Sequence, residues 1–250
     1  MARQKITALV TGASAGLGAE FCRQLAGRCD VIIAVARRGD RLSELARQLA
    51  DRVELHAIEA DLTAVEGVAR TMEALRQLGP VDYLVNNAGF STFGQFQDLS
   101  IEGQRDMVSL HIDTTMTLSR AAIGFMQERG AGYIINVSSV GAFLPVKGLA
   151  VYAASKVFLN NFSLALQEEL AGTGIEVQAL CPGYTHTEFH QEMEEQGFNK
   201  SQVPNHMWMD PDAVVAASLA ALGNGKVVVV PGEGNLELAR AGLMRQLEAL

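Results

Sequence analysis

Tyr152 and Lys156 stand four residues apart in the segment YAASK, so on a helix they share one face, a single turn apart. A free tyrosine titrates near pH ~10, and an ammonium beside it favours the phenolate, which brings the hydroxyl toward acid–base work near neutrality. Ser139 closes a β-rich run upstream and can donate to a carbonyl oxygen. An ordinary helix face can carry the same pair, so its meaning depends on what positions it.

The positioning begins at Lys5 to Gly18, KITALVTGASAGLG, an apolar β-rich run that passes through glycines into a helical pattern. A strand feeding through glycines into a helix start gathers backbone N–H groups and the positive helix end, which suits a pyrophosphate. The spacing G-x-x-x-G-x-G varies the usual dinucleotide fingerprint. Gly12, Ser14, Gly16, Leu17 and Gly18 form the candidate cradle. Asp30 to Ala36, DVIIAVA, reads as a strand buried on both faces, followed by Arg37 and Arg38 with no acidic residue at its end. In a dinucleotide fold this point meets the adenine ribose, where arginine accommodates a 2′-phosphate, so the pair favours NADP over NAD. Two solvated arginines after a strand are the plainer alternative.

Strands alternate with helices through the rest of the chain. Val53 to Ala60 is a third strand ending at Asp61 and Leu62, with Asp61 or Thr63 as the cap of the next helix. That helix runs to Leu78, Gly79-Pro80 breaks it, and Val81 to Asn86 is a fourth strand leading into Asn87, Ala88 and Gly89. One long helix is expected over Ile101 to Gln127, with Leu110, Thr114, Thr117, Leu118 and Ala121 facing the sheet. Tyr133 to Ser138, Gly174 to Leu180 and Lys226 to Val230 are the remaining strands, with helices over Ala150 to Ala171, from Asp210-Pro211, and at the end. This rhythm predicts an α/β fold: one doubly wound Rossmann-type domain over 1–250, with a seven-stranded, mainly parallel sheet. Tyr184 to Met209 breaks the rhythm and reads as a substrate lid over 184–209.

With 48% hydrophobic residues the chain can bury a sizeable core, and a formal charge of −8 without a basic stripe argues against nucleic acid as partner. Cys22, Cys29 and Cys181 lack metal or redox spacing, no secretory signal is visible, and no apolar run approaches a membrane span. A cytoplasmic protein with reduced thiols and no membrane partner is expected.

Together the motifs resemble the short-chain dehydrogenase/reductase family in its compact single-domain form. They run in order through Thr11-Gly12-x-x-x-Gly16-x-Gly18, Asp61, Asn87-Ala88-Gly89, Ser139, Tyr152-x-x-x-Lys156, Pro182-Gly183 and Thr187, covering residues 5 to about 187. The resemblance implies that Tyr152 is the general acid/base, that Ser139 orients and polarises the substrate carbonyl, and that Lys156 lowers the tyrosine pKa and holds the nicotinamide ribose. It implies that Asp61 and Leu62 flank the adenine, that Asn87 to Gly89 support sheet and cofactor, and that Pro182, Gly183, Thr185 and Thr187 frame the nicotinamide. Hydride would pass between NADP and a small carbonyl compound or secondary alcohol, with no metal.

Two departures stand out. Where the family usually has an asparagine in the long helix, this chain has His111 in LHIDT, a candidate fourth member of the catalytic set. In the family that asparagine helps fix a helix irregularity. A histidine there would titrate near pH ~6.5 and give the rate an inflection. The second departure is the tail, VVVVPGEGNLELARAGLMRQLEAL, which lacks the glycine-rich end used for tetramers. A homodimer through the helices carrying Leu118 and Leu159 is expected, with a tetramer as the other possibility. His111 also motivates a rival reading, an NADP(H)-binding sensor or scaffold with little turnover. His186 and His190 flank Glu188 at a helical turn's spacing, but without the metalloprotease order or a third ligand they read as lid residues rather than zinc ligands. Phe90, Phe93, Val140, Phe143, Leu144, Tyr184, Phe189, Met193, Met207 and Trp208 are candidate walls of an apolar pocket.

Overall fold

A computed structural model describes residues 4–195 and 197–249. Strands β1 (Thr7–Thr11), β2 (Val31–Ala36), β3 (Glu54–Glu59), β4 (Tyr83–Asn86), β5 (Gly132–Val137) and β6 (Ile175–Leu180) alternate with helices α1 (Gly16–Leu25), α2 (Gly39–Leu49), α3 (Val65–Leu78), α4 (Ile101–Val108), α5 (Thr115–Arg129) and α6 (Ala150–Glu169). Then follow β7 (Tyr184–Thr185), α7 (Gln191–Glu195), β8 (Trp208–Met209), α8 (Pro211–Ala221), β9 (Val228–Val229) and α9 (Glu233–Glu248). The main sheet has seven strands in the order β3-β2-β1-β4-β5-β6-β9, every pair parallel, as the alternating pattern requires.

Alternation along the strands divides the core. Ala8, Val10, Ile32 and Ala34 pack with Phe21, Leu25, Leu42 and Val214 on one face, while Leu9, Ile33 and Val35 pack with Leu75, Leu118 and Met126 on the other. Strand order reverses between β1 and β4, so the loops after these strands diverge and leave a crevice at their carboxyl ends. Thr11 ties its floor together. Its hydroxyl donates to Val85 O at 3.2 Å and accepts from the Asn87 and Ala88 amides at 2.9 and 3.0 Å.

The helix expected over Ile101 to Gln127 is interrupted. Ser109–Thr114, the segment holding His111, is π-helical and inserts an extra residue into the repeat. Beyond it the buried stripe moves to Thr115, Leu118, Ser119, Ala122 and Met126, so Thr117 points outward rather than toward the sheet. Gly130 closes α5 in the left-handed region, at φ 67°. Neither Asp61 nor Thr63 caps α3, whose N-cap is Ala64; Asp61 instead accepts from the amide and hydroxyl of Thr63 in a local turn. The segment expected as a lid is more ordered than its composition suggests. Its ends pair as a two-stranded parallel ladder, β7 with β8, and short helical turns fill the span between them.

A polar chain crosses the core between α5 and α6. Asn86 Nδ2 donates to Ser119 Oγ (3.1 Å) and Asn136 Oδ1 (2.8 Å), and Asn136 Nδ2 donates to Ser163 Oγ (2.9 Å). Asn86 and Asn136 are also register partners in β4 and β5. Removing Asn136, which is fully buried, strands groups on two neighbours. Asn136→Ala is expected to cost about 2–4 kcal/mol in urea unfolding, and Asn136→Asp more at neutral pH than at low pH.

Candidate active site

The crevice is a cleft of ≈ 490 Å³ running from the glycine turn, past the ends of β2 and β3, to Ser139, Tyr152 and the lid. At its first wall Gly12 and Gly16 have φ of 68° and 52°, which only glycine adopts freely. A Cβ on Gly12 would lie 2.7 Å from Asn87 Nδ2, and one on Gly16 would lie 3.1 Å from Thr187 Cγ2. A Cβ on Gly18 would collide with the Gly12 carbonyl, so the third glycine serves close packing of α1 behind the cradle rather than lining the cleft. Ser14 and Leu17 line it. A bare backbone beside a helix start fits the anionic bridge of a dinucleotide.

At the ends of β2 and β3, Arg37, Arg38, Asp61 and Leu62 meet the cleft. Arg38 Nε donates to Ser14 Oγ at 3.2 Å. Partial desolvation works against the Asp61 carboxylate, but the hydrogen bonds from Thr63 and the Arg37 charge outweigh it and hold its pKa below the ordinary value. Arg41, on the first turn of α2, joins this group through Glu188 and was not legible as a site residue. Its signal was the spacing Arg38-x-x-Arg41 across a helix start.

The polar centre lies at the other end. Ser139 leads into the helical turn Val140–Phe143, and its oxygen accepts from the Gly141 amide at 3.0 Å, leaving its proton for another partner. Ser139 stands close enough to Tyr152 to favour its ionised form. Lys156 Nζ donates to Val137 O at 2.9 Å and lies 5.5 Å from the Tyr152 ring centroid. Ser138, which motif reading passed over, ties α6 to the end of β5 by donating to Lys156 O at 2.9 Å. Burial dominates both titrations in the free protein. It pushes the Tyr152 phenol up to about 12, against the influence of Ser139, and the Lys156 ammonium down to about 7. The expected lowering of the tyrosine by Lys156 is not among the influences on it in the free protein.

Beyond this centre Phe90, Phe93, Val140, Leu144, Tyr184, Phe189 and Met193 line the cleft. Phe143, Met207 and Trp208, expected among its walls, do not. His186 and His190 are committed to ring packing. His186 stacks on Trp208 at 5.0 Å, and His190 sits among Tyr184, Phe189, Phe198 and Trp208 at 5.3–5.8 Å. Burial lowers the His190 pKa to about 4.

The chain matches the family model of the short chain dehydrogenases over residues 6–197. It belongs to that family. It is 34% identical over 239 residues to an acetoacetyl-CoA reductase of Acinetobacter sp., covering 93% of this chain and 96% of the relative. Among solved structures it resembles a short-chain dehydrogenase from Sphingobium yanoikuyae in complex with NADPH (TM-score 0.83, 33% identity, 96% and 95% of the two chains). It also resembles a bulky-bulky ketone specific alcohol dehydrogenase from Comamonas testosteroni (TM-score 0.80, 31% identity, 96% and 94%). As a short chain dehydrogenase the protein is an oxidoreductase.

In this short chain dehydrogenase the remaining motif residues fall into two groups. Asn87, Ala88, Gly89, Pro182, Thr185 and Thr187 line the cleft. Gly183 also lines it, but a Cβ there would collide with Asn235 of α9, so its smallness serves that packing. His111 does not reach the cleft lining. It lies in the π turn with its ring edge-on to Tyr152 at 6.0 Å, and a Cβ on Gly89 would fall 2.7 Å from its Nε2. Its Nδ1 is 2.9 Å from Ser155 Oγ, whose own proton goes to Tyr152 O at 2.7 Å. His111 Nδ1 is therefore the donor, and the ring is the neutral Nδ1–H tautomer. Burial, with repulsion from Lys156, lowers its pKa well below the ordinary value. Against the expected titration near neutrality, His111 is held neutral and packs under the first turn of α6.

The pH–rate profiles of wild type and His111→Asn are accordingly expected to superimpose between pH 6 and 8, checked under saturating substrate. Lys156 provides the contrasting case. Its pKa falls from 10.5 in the unfolded chain to about 7 in the native one, so both states carry the proton below pH 7 and the full burial penalty applies there. Between those values the unfolded chain holds a proton that the native chain has released, so the lysine's contribution to stability rises with pH. Lys156→Met is expected to exceed wild type in urea stability at pH 6, with the margin shrinking toward pH 9.

Proposed function

We propose that the protein is an NADPH-dependent carbonyl reductase acting on a mostly apolar ketone or aldehyde, with Tyr152, Ser139 and Lys156 as its catalytic residues. The observation that carries this is convergence: the Ser139–Tyr152 pair and Lys156 open into the same cleft as the glycine cradle and the arginines after β2. The NADPH and ketone named for the two neighbouring structures, and the reductase relative, support it.

The cradle at Gly12 to Leu17 would hold the pyrophosphate, Ser14, Arg37 and Arg38 the phosphorylated ribose, Asp61 and Leu62 the adenine side, and Asn87 to Gly89 with Pro182, Thr185 and Thr187 the nicotinamide side. When bound, the cofactor supplies a hydride. Ser139, its oxygen already satisfied by Gly141 N–H, directs its proton at the substrate carbonyl oxygen and polarises it. Tyr152 gives its proton to that oxygen as the carbon is reduced. Burial keeps Tyr152 a phenol, the state a proton donor needs. Lys156, with its pKa about 7, is placed to restore the proton. Phe90, Phe93, Leu144 and Phe189 give the substrate end apolar walls. The sensor alternative loses its motive, because His111 packs behind the cleft and leaves the three polar groups together.

The lid over 184–209 is part of this reading, as are a homodimer, with a tetramer as the larger form, and a cytoplasmic setting. The helices carrying Leu118 and Leu159 would meet the partner through their outer faces, since these two leucines are buried in the chain's own core. Met116 on α5 and Val157 and Leu164 on α6 are exposed instead. All three cysteines are free, and among the described residues no helix is long and apolar enough to cross a membrane.

A panel of apolar ketones and aldehydes with NADPH, followed by loss of reduced-cofactor absorbance, tests the activity; no turnover across the panel would overturn it. Tyr152→Phe is expected to lower kcat by roughly 10²–10⁴-fold, with the Kd for NADPH within about twofold of wild type.

A further inference from the structure

Glu188 sits just inside the lid, in the short helical turn Glu188–His190 that follows Thr187. Its two carboxylate oxygens are divided between two arginines of the opposite wall. Oε2 accepts from Arg38 Nη1 at 2.8 Å, and Oε1 accepts from Arg41 Nη1 at 2.6 Å. The same Arg38 donates its Nε to Ser14 Oγ at 3.2 Å, so the serine steadies one of the two guanidinium groups that meet on a single anion. Two guanidinium groups and a hydroxyl beside the end of β2 are the donor set that a phosphate monoester takes. Here an acid from the lid occupies it.

We propose that Glu188 is a built-in competitor for the 2′-phosphate of NADPH, holding the lid against Arg38 and Arg41 until a 2′-phosphorylated nucleotide displaces it, and thereby sets cofactor discrimination. The inference rests on the NADPH reading above and deepens it. A 2′-phosphate brings up to two negative charges and three acceptor oxygens against one charge and two oxygens, so it outcompetes the carboxylate for the same arginines. A free 2′-hydroxyl offers the arginines no charge. NADH therefore leaves Glu188 in place, and the lid stays pinned. The pins are about two-fifths exposed side chains, so each ion pair is weak and the exchange is reversible. Arg41 first and then Arg38 hold the Glu188 carboxyl below its ordinary pKa, so it is charged throughout the physiological range. The lid carries its own reporter, since Trp208 in β8 is the chain's one tryptophan.

The test uses the full chain and two fragments that lack the nicotinamide, 2′,5′-ADP and 5′-ADP, with Trp208 fluorescence and calorimetry as readouts. In wild type, 2′,5′-ADP is expected to change the Trp208 signal and 5′-ADP to leave it unchanged. In Glu188→Gln the signal should already resemble the bound state. The Kd for 2′,5′-ADP should tighten by roughly three- to tenfold, as loss of two weak ion pairs implies, while that for 5′-ADP stays within about twofold. Wild type binding 2′,5′-ADP no better than 5′-ADP would overturn the NADPH reading and this inference with it. Wild type preferring 2′,5′-ADP, with Glu188→Gln binding it equally or more weakly, would overturn this inference alone and make Glu188 a clasp rather than a competitor.

Discussion

The Thr11 hydroxyl is the pin on which the site turns. Strands β1 and β4 are neighbours whose following loops must part, and parted loops expose amides that no ladder satisfies. Thr11 meets that demand for Asn87 and Ala88 together, while the Asn87 side chain returns a hydrogen bond to Thr11 O at 2.8 Å. The glycine turn and the Asn87–Gly89 loop are thereby fixed against one another, and the approach is so close that no side chain fits at Gly12. A crevice with a rigid floor is the precondition for everything placed around it.

The catalytic end depends on a second constraint, the removal of water from three polar groups at once. Tyr152 and Lys156 are carried by α6, which is anchored at its base by Ser138 and packed beneath by Ser155 and His111. Burial pushes the two titratable groups in opposite directions, the phenol up and the ammonium down, so that both favour their neutral forms. The charge of the lysine is not what sets the tyrosine in the free protein. Desolvation is.

Much of the fold was legible because strand and helix differ in period and the glycines mark their junctions: strands β1 to β6 and the helices between them fall close to where the residue pattern puts them. The motif residues that line the cleft were legible for the same reason, since each follows a strand end. What was hidden was hidden physically. The π turn over Ser109–Thr114 leaves the composition of a helix unchanged while rotating its buried stripe, so Thr117 falls outside the face expected to meet the sheet while Leu118 keeps its place on it. The depressed titration of His111 depends on enclosure by Gly89 and by Tyr152 and Ser155 of α6, two segments distant from it in the chain. No local pattern encodes that.

The lid shows why long-range charge pairs escape such reading. Its shape is secured by aromatic packing of Tyr184, His190, Phe198 and Trp208 and by the β7–β8 ladder, none of which involves Glu188. The carboxylate is therefore free of a structural task within the lid, and its only hydrogen-bonding partners among the described residues lie across the cleft. An exposed ion pair of that kind contributes little to stability, so losing it to a stronger anion does not endanger the fold. The aromatic cluster lets the lid keep its form, whichever anion the arginines hold.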